Sequence, residues 1–183
     1  VLITRDGFDI DSIPSNSVIG SSSLRRAVQI TRKRPDLNVK PVRGNIETRI
    51  NKVVDGKFDG VVLAQAGITR LGTSVKLSKL SLDDFPPSPG QGALAIVCRE
   101  DDSKTLEILQ QIEDPKSRKE IEAERALSDS VDSGCRFPVG AFAVSDSNSL
   151  TLKVAVYSMD GKKSIILEKS DNINNAIELG KSL

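Results

Sequence analysis

Short apolar runs alternate with amphipathic stretches over residues 17–64. Val18-Ile19 predicts a short strand, and residues 37–42 and 59–64 predict two longer ones, because apolar runs of this length are typical of strands in a covered sheet. Successive strand–helix–strand units usually connect parallel strands, so we expect a parallel sheet with helices on both faces. Val1 to Thr4 predicts one more strand at the start of the chain.

Two helices are predicted between these strands, each with a capping residue. The first begins at Ser22 or Ser23, either of which can accept a hydrogen bond from the first turn, and it ends near Arg34. The second begins after Asn45. Its inner face is predicted to comprise four apolar residues, namely Ile46, Ile50, Val53 and Val54.

The Pro- and Gly-rich segment from Phe85 to Gly92 predicts a domain boundary. The elements predicted after it are a buried strand at 93–98, helices at 103–112 and 114–131, strands over 139–169 and a helix at 174–183. Asp160-Gly161 predicts a hairpin between strands at 150–157 and 163–168. In the last helix, Ile173, Ile177 and Leu179 are expected to share part of one face.

The pattern therefore predicts an α/β protein. We expect a periplasmic-binding-protein-like parallel-sheet domain at residues 1–88 and a small α+β domain at residues 114–183, separated by residues 89–113. The chain opens inside a strand without an initiator Met and closes in a helix without a capping signal. We therefore expect it to be part of a longer protein.

Composition excludes several classes of protein. The 183 residues are 38% hydrophobic and 28% charged, which is typical of a soluble globular protein, and no apolar run approaches the ~20 residues of a membrane span. The absence of histidine excludes Ser–His triads and makes a zinc site improbable, and no metal site is predicted. Cys98 and Cys135 are too few for a disulfide framework, so a reducing cytoplasm is expected.

The small net charge of +1 conceals a strong asymmetry along the chain. Residues 1–80 carry 14 Lys and Arg against 7 Asp and Glu, whereas residues 81–183 carry 12 against 18. A solvated basic face and a nucleic-acid surface are two interpretations of the basic part. Few aromatic residues accompany the arginines, which cluster at predicted strand ends, so a small polyanion is favoured over nucleic acid.

Hydroxyl and guanidinium groups follow two of the predicted strands. Ser21, Ser22 and Ser23 precede Arg25 and Arg26 at the first strand–helix junction. Arg43, Asn45 and Arg49 recur at the second. Since arginine donates paired hydrogen bonds to carboxylates and phosphates, this recurrence predicts an anion site, although each residue alone could be a helix cap or an ordinary surface charge.

Cys98 and Cys135 have different surroundings. Cys98 ends an apolar run and is expected to be a small buried residue. Cys135 lies in a loop between a glycine and Arg136, whose charge favours the reactive thiolate. A free loop cysteine without a role and covalent attachment of a prosthetic group both remain open from local chemistry. Glu120, Glu122 and Glu124 are interpreted as a solvated helix face.

Five motifs in register resemble porphobilinogen deaminase, also called hydroxymethylbilane synthase. They are Ser21-Ser22-Ser23-Leu24-Arg25-Arg26, Arg43-Gly44-Asn45 with Arg49, Leu63-Ala64 with Gly67 and Arg70-Leu71-Gly72, Gly90-Gln91-Gly92-Ala93, and Gly134-Cys135-Arg136-Phe137-Pro138-Val139-Gly140. The resemblance covers essentially the whole chain, and it implies that residues 89–113 are a hinge and crossover segment belonging to a first domain that the chain lacks. It implies a transferase of haem and tetrapyrrole biosynthesis that joins four porphobilinogen molecules into hydroxymethylbilane and releases ammonia at each step.

The resemblance also implies a cofactor and the residues that bind it. Dipyrromethane would be held by a thioether to Cys135. The other implied cofactor-binding residues are Ser21, Ser22, Ser23, Arg25, Arg26, Leu63, Ala64, Gln91 and Gly92. The implied residues for porphobilinogen and the pyrrole-chain intermediates are Arg43, Asn45, Arg49 and Arg70. Members of the family are usually monomeric, and neither nucleic acid nor a membrane is an implied partner.

The sequence departs from the family in its catalytic group. The family's catalytic aspartate belongs to an N-terminal His-Ser-x-Lys-Asp segment, which this chain lacks. No catalytic residue is therefore assigned here, and we expect the isolated chain to be inactive. Without the family's first domain, residues 93–112 are expected either to expose apolar surface or to associate with another copy of the chain. Two alternatives are a non-catalytic anion-binding module of periplasmic-binding-protein-like fold and a nucleic-acid-binding domain.

Overall fold

The structure, a computed structural model, describes residues 1–131 and 137–183. The chain forms two compact units. The first contains Val1–Pro86 together with residues 137–140 and Val156–Ile165. The second contains residues 87–131, Ala141–Ala155 and Ile166–Leu183.

A five-stranded mixed sheet forms the centre of the first unit. Its strands are β1 Leu2–Thr4, β2 Val18–Gly20, β3 Asn38–Lys40, β4 Gly60–Val62 and β5 Leu77–Ser78, in the spatial order β3-β2-β4-β1-β5. β2 is parallel to β3 and β4, which confirms the predicted parallel strands. β1 is antiparallel to β4 and β5, so the expectation of a parallel sheet throughout is wrong for this edge.

Three helices follow the parallel strands. They are α1 Leu24–Lys33, α2 Ile46–Val54 and α3 Gln65–Leu71. The first two occupy the predicted positions, whereas α3 and β5 were not predicted. The prediction that Val54 belongs to the inner face of α2 is wrong, because its side chain is 64% exposed while Ile50 and Val53 are buried.

Apolar side chains cover both faces of this sheet. Neighbouring residues of a strand point to opposite faces, and accordingly Leu2 and Ile3 enter different clusters. One cluster comprises Leu2, Ile10, Ile13, Ile19, Ile30, Leu37, Val62 and Phe85. The other comprises Ile3, Val42, Ile50, Val53, Val61, Leu63 and Ile68. The short strands are therefore fixed by packing on both sides, as the apolar runs predicted.

The C-terminal part contains helices and a three-stranded sheet. The helices are α4 Ser103–Ile112, α5 Pro115–Ser130 and, after a short 3-10 turn at Ile173–Asn175, α6 Ala176–Lys181. The strands are β6 Val139–Asp146, β7 Ser149–Tyr157 and β8 Ser164–Asn172, adjacent in that order. The predicted hairpin before β8 is present.

α5 and α6 pack closely against each other in the second unit. A Cβ atom on Gly180 would lie 2.3 Å from the Ala123 carbonyl oxygen, so only glycine allows this approach. Leu127 and Leu179 are 1% exposed. Ile177 is 44% exposed whereas Leu179 is buried, so these two residues do not share one face of the last helix as predicted.

The prediction of a buried strand at residues 93–98 is also wrong. These residues have no strand assignment, and Leu94 and Val97 are 77% and 90% exposed. Cys98 is half-buried rather than buried. A strand requires a neighbour to satisfy its backbone N–H and C=O groups, and none pairs with this segment within the described chain. α4 follows as predicted but buries none of its residues, so the expected exposure of apolar surface is observed.

Among residues 1–131 and 137–183, no helix combines the length and apolarity needed to cross a lipid bilayer.

Arg34, the C-cap of α1, connects the helix to the segment before β2. Its Nε and Nη2 atoms donate to the two Asp36 carboxylate oxygens at 2.8 and 2.7 Å. Nη1 donates to the Ile10 carbonyl oxygen at 2.7 Å, and Nη2 to that of Ile13 at 3.0 Å. Asp36 therefore orients the Arg34 guanidinium, which binds the carbonyl oxygens of the segment before β2. The hydrogen bonds from Arg34 in turn hold the pKa of Asp36 well below its usual range.

We expect Asp36→Asn to lower the stability of the chain at pH 7. Because the carboxylate pKa is lower in the folded state, the stabilisation is present at neutral pH and is lost as the pH falls below about 4, the ordinary aspartate value. Urea unfolding between pH 7 and pH 3 measures the difference between wild type and variant, which should shrink on acidification. Asp6→Asn, at an exposed residue 3.8 Å from Arg5, serves as the control. A pH-independent difference would contradict the prediction.

Candidate functional site

Three strand–helix junctions of the first unit lie at one edge of its sheet. β2, β3 and β4 are parallel neighbours, so their carboxyl ends share an edge. The segments that follow them, residues 21–23, 41–45 and 63–64, together with the first turns of α1 and α2, are called the rim below. The rim contains most of the residues that the sequence assigned to an anion site.

The three serines connect the loops of the rim. Ser23 is the N-cap of α1 and accepts a hydrogen bond from the Arg26 N–H at 3.4 Å, which decides between the two capping candidates. The Ser22 hydroxyl donates to the Val42 carbonyl oxygen and accepts from the Val42 N–H. Ser21 is buried, and its N–H donates to the last residue of β3 at 2.9 Å. The serines thus fix the spacing of two adjacent loops.

Arg25 and Arg26 lie in the first turn of α1, where no acidic residue accompanies them. Positive charge there opposes the helix dipole by on the order of 0.3–1 kcal/mol per residue. Both side chains are half-buried. Arg25 Nη1 donates to the Pro86 carbonyl oxygen at 2.9 Å, and Arg26 Nη1 donates to the Val62 carbonyl oxygen, at the end of β4, at 3.3 Å. The arginines are therefore held in position by backbone contacts although the helix terminus disfavours their charge.

The guanidinium groups of the rim also repel one another. Burial and, second, the charge of Arg26 lower the pKa of Arg25 to about 10. Burial and the charge of Arg49, on α2, lower the pKa of Arg26. Arginine at such pKa values stays protonated at neutral pH, so positive charge from two helices accumulates in one partly desolvated region. A bound carboxylate would reverse this effect, because an opposite charge favours the protonated form.

The start of α2 positions Arg49. Asn45 is the N-cap, and its Oδ1 accepts from the Thr48 N–H at 2.8 Å. Gly44 before it has φ +122°, and a Cβ atom there would lie 2.6 Å from Thr48 Cγ2, so the turn requires glycine. Arg49 Nε donates to the Gly44 carbonyl oxygen at 2.7 Å, which directs the side chain towards the rim. Arg43, in the same loop, is exposed.

The third junction, Leu63 and Ala64, contributes backbone groups to the rim rather than charged side chains. Leu63 is buried and pairs with Val1 through two backbone hydrogen bonds of 2.9 and 3.0 Å. Ala64 is the N-cap of α3 and has no capping side chain. Arg70 lies exposed in the last turn of α3, about 9 Å along the helix axis from Ala64 at 1.5 Å per residue. Arg70 therefore lies at the far end of α3 from the rim, although the sequence analysis grouped it with Arg43, Asn45 and Arg49.

The remaining candidates lie elsewhere. Gln91 and Gly92 belong to the second unit, where both are exposed and Gly92 has φ +101°. Cys135 falls within residues 132–136, outside the described residues. Its role and those of the other candidates remain predictions.

Gln29 is a polar residue near the site that the sequence analysis missed. It is 1% exposed, and its Nε2 donates at 2.9 Å to the Pro86 carbonyl oxygen, which also accepts from Arg25. Its Oε1 has no hydrogen-bond partner among the described residues. The available signal was spacing, since residues four apart in a helix share a face. Pro86 is therefore fixed by two side chains of α1.

The interpretation of Glu120, Glu122 and Glu124 as a solvated helix face is wrong for Glu124, which is buried, whereas Glu120 and Glu122 are half-buried. Glu124 is only 6% exposed, and Glu120 is half-buried and hydrogen-bonded to Ser145. The missed signal was again helical spacing: Glu120 and Glu124 lie on the same face of α5 as buried Ala123 and Leu127.

Fold and site together define an α/β domain with an arginine-rich rim, followed by a smaller unit. The family model described as "Porphobilinogen deaminase, dipyromethane cofactor binding domain" matches residues 1–107, and that described as "Porphobilinogen deaminase, C-terminal domain" matches residues 118–183. The chain belongs to the porphobilinogen deaminase family.

Curated relatives agree with the family models. The chain is similar to a probable porphobilinogen deaminase of Nitrosopumilus maritimus, with 62% identity over 182 residues, and to a porphobilinogen deaminase of Desulforamulus reducens, with 39% identity over 180 residues. These matches cover 100% and 98% of the chain but only 58% of each relative. A porphobilinogen deaminase of Brevibacillus brevis is 42% identical over 165 residues, which cover 89% of the chain and 53% of the relative. The chain thus spans somewhat more than half the length of the relatives that it matches.

We expect Arg49→Gln to reduce carboxylate binding at the rim without greatly destabilising the chain. The variant loses an exposed contact to Gly44 but relieves the repulsion on Arg26. The measurement is thermal unfolding with and without citrate at constant ionic strength. Loss of a charge-assisted hydrogen bond, about 1.5–3 kcal/mol, should remove most of the stabilisation that citrate gives to the wild type.

Arg5→Gln is the matched control for this experiment. Arg5 follows β1 at the opposite edge of the sheet, because Thr4 pairs with Gly60 at the beginning of β4. The control should respond to citrate like the wild type. An undiminished citrate effect in Arg49→Gln would remove Arg49 from the site.

Proposed function

We propose that this chain is part of a hydroxymethylbilane synthase, which joins four porphobilinogen molecules head to tail and releases ammonia at each step. The observation that carries this proposal is the accumulation of Arg25, Arg26 and Arg49 at the rim. Porphobilinogen carries an acetate and a propionate, so a site for a growing pyrrole chain requires several fixed positive charges. The descriptions of the matched family domains and the names of the relatives support the same assignment.

The proposed cofactor is dipyrromethane, attached through a thioether to Cys135. When bound, it supplies the primer to which porphobilinogen units are added. The chemistry of the rim fits this group, because half-buried guanidinium groups with a lowered pKa favour carboxylate partners. The proposed cofactor-binding residues besides the cysteine are Ser21, Ser22, Ser23, Arg25, Arg26, Leu63, Ala64, Gln91 and Gly92.

Arg43, Asn45, Arg49 and Arg70 are the proposed residues for substrate and pyrrole intermediates. The Asn45 side chain already accepts hydrogen bonds from Thr48, at 2.8 Å from the N–H and 2.7 Å from the hydroxyl. Asn45 would therefore act mainly by fixing the loop that carries Arg43. Arg49 would donate to carboxylates with the nitrogens that do not bind Gly44.

The proposal assigns the remaining functions to parts of the longer proteins that this chain does not span. We propose that the exposed segment 89–113 packs against such a part and that the catalytic aspartate resides there. The isolated chain is accordingly expected to lack activity. The complete enzyme is proposed to be cytoplasmic and monomeric.

The first experiment measures the mass of the full-length protein. We expect an adduct with the mass of dipyrromethane in the wild type, its loss in Cys135→Ser, and its retention in the control Cys98→Ser. Absence of an adduct in the wild type would instead favour a non-catalytic anion-binding module of periplasmic-binding-protein-like fold. Salt-sensitive binding of DNA or RNA, together with no adduct, would favour a nucleic-acid-binding domain.

The second experiment compares turnover of porphobilinogen by the full-length protein and by the isolated chain. We expect hydroxymethylbilane from the full-length protein and a rate at background for the isolated chain, because the segment proposed to supply the catalytic carboxylate is missing. Turnover by the isolated chain would show that its own residues complete the active site.

A further inference from the structure

Along one edge of the three-stranded sheet, backbone N–H groups donate to hydrogen-bond acceptors that lie outside the strands. β6 is an edge strand, since the order is β6-β7-β8. The N–H groups of Ala141, Ala143 and Ser145, at alternate positions, bind oxygens outside the sheet. An unpaired edge of this kind would otherwise be open to pairing with another strand.

Three acceptors bind these N–H groups in register. The Pro87 carbonyl oxygen accepts from Ala141 at 2.8 Å, Glu124 Oε1 accepts from Ala143 at 2.8 Å, and Glu120 Oε1 accepts from Ser145 at 2.9 Å. Four residues of helix rise about 6 Å, and two residues of a strand rise about 6.6–6.8 Å. The spacing of the two glutamates on α5 therefore matches alternate N–H groups of β6.

Glu124 also contacts a segment outside the sheet. Its Oε2 accepts from the Gly90 N–H at 2.6 Å. Gly90 is part of the turn from Ser88 to Gln91, in which the Gln91 N–H donates to the Ser88 carbonyl oxygen at 2.9 Å. Pro89 followed by Gly90 with φ +73° is the sequence and geometry of a type II turn. The carboxylate thus binds the turn with one oxygen and the sheet with the other.

Burial makes these contacts important for the charge on Glu124. Burial, together with the nearby charge of Glu120, raises the pKa of Glu124, whereas hydrogen bonds from Gly90 and Ala143 lower it. A carboxylate that is 6% exposed requires donors to remain charged. The N–H groups of Gly90 and Ala143 supply these donors.

We propose that Glu124 is a positioning residue that holds the Gly90 turn and thereby places Gln91 and Gly92 for cofactor binding. This inference depends on the proposed function, because that function gives Gln91 and Gly92 their role. Glu124 itself is buried within its unit and acts only through the turn. Its two oxygens join three separate segments of the second unit, namely the turn, α5 and β6.

The variant Glu124→Gln in the full-length protein distinguishes a positioning role of Glu124 from a general effect on protein stability. The amide has a single acceptor oxygen, and its NH2 group would face the second N–H donor, so one of the two contacts is lost. Glu120→Gln is a matched control, since one oxygen of Glu120 accepts from both the N–H and the hydroxyl of Ser145 and the amide oxygen can do the same.

The readouts are amide hydrogen exchange at residues 88–92 and steady-state kinetics with porphobilinogen. We expect exchange in the turn of Glu124→Gln to accelerate on the order of tenfold, as for loss of a hydrogen bond to a charged group, with a several-fold higher KM and a smaller change in kcat. Glu120→Gln should behave like the wild type in both measurements. If Glu124→Gln does not fold, Glu124→Asp, whose shorter side chain cannot reach both donors, takes its place.

Two results would overturn the inference. One is wild-type exchange at residues 88–92 in the Glu124 variant. The other is an equal rise of KM in Glu124→Gln and Glu120→Gln, which would indicate general destabilisation. Failure of the proposed function would be distinguishable, because the wild-type protein would then show no turnover of porphobilinogen. Failure of the positioning role would instead appear as an active wild type whose exchange and kinetics are the same in Glu124→Gln.

Discussion

The accumulation of positive charge at the start of α1 is the constraint on which the candidate site depends. Arg25 and Arg26 occupy a helix terminus that disfavours cations, and burial and their mutual repulsion oppose the charged state further. Contacts to the carbonyl oxygens of Pro86 and Val62 hold both side chains there. Such an arrangement disfavours the charged form of both arginines, and a bound multiply anionic ligand would offset that effect.

The sequence predicted the part of the fold that local pattern determines. Apolar runs separated by capped amphipathic stretches correctly predicted β2, α1, β3, α2 and β4, and parallel pairing followed from their alternation. Because parallel strands bring their following loops to one edge, the convergence of residues 21–23 with Arg49 could also be inferred. The direction of β1 could not, since an isolated run at Leu2–Thr4 contains no information about which strand it joins.

The remaining errors arise where tertiary contacts override local pattern. Residues 93–98 have the composition of a buried strand, but without a neighbouring strand their backbone groups stay exposed. Glu124 is charged and lies on a helix, which usually indicates solvent, and it is buried because the edge of β6 and the Gly90 turn supply donors. Neither donor adjoins Glu124 in sequence, so composition alone could not identify them.

Arg25 connects the chemistry of the rim to the geometry of the chain. Its guanidinium is one of the crowded charges of the rim, and it shares the Pro86 carbonyl oxygen with buried Gln29. A ligand that dissociated freely would remove its own negative charge from the neighbourhood of Arg26, which repels both Arg25 and Arg49. A tethered anion remains at high effective concentration. Covalent attachment of a polycarboxylate, as proposed for Cys135, would therefore suit a site whose own charges repel one another.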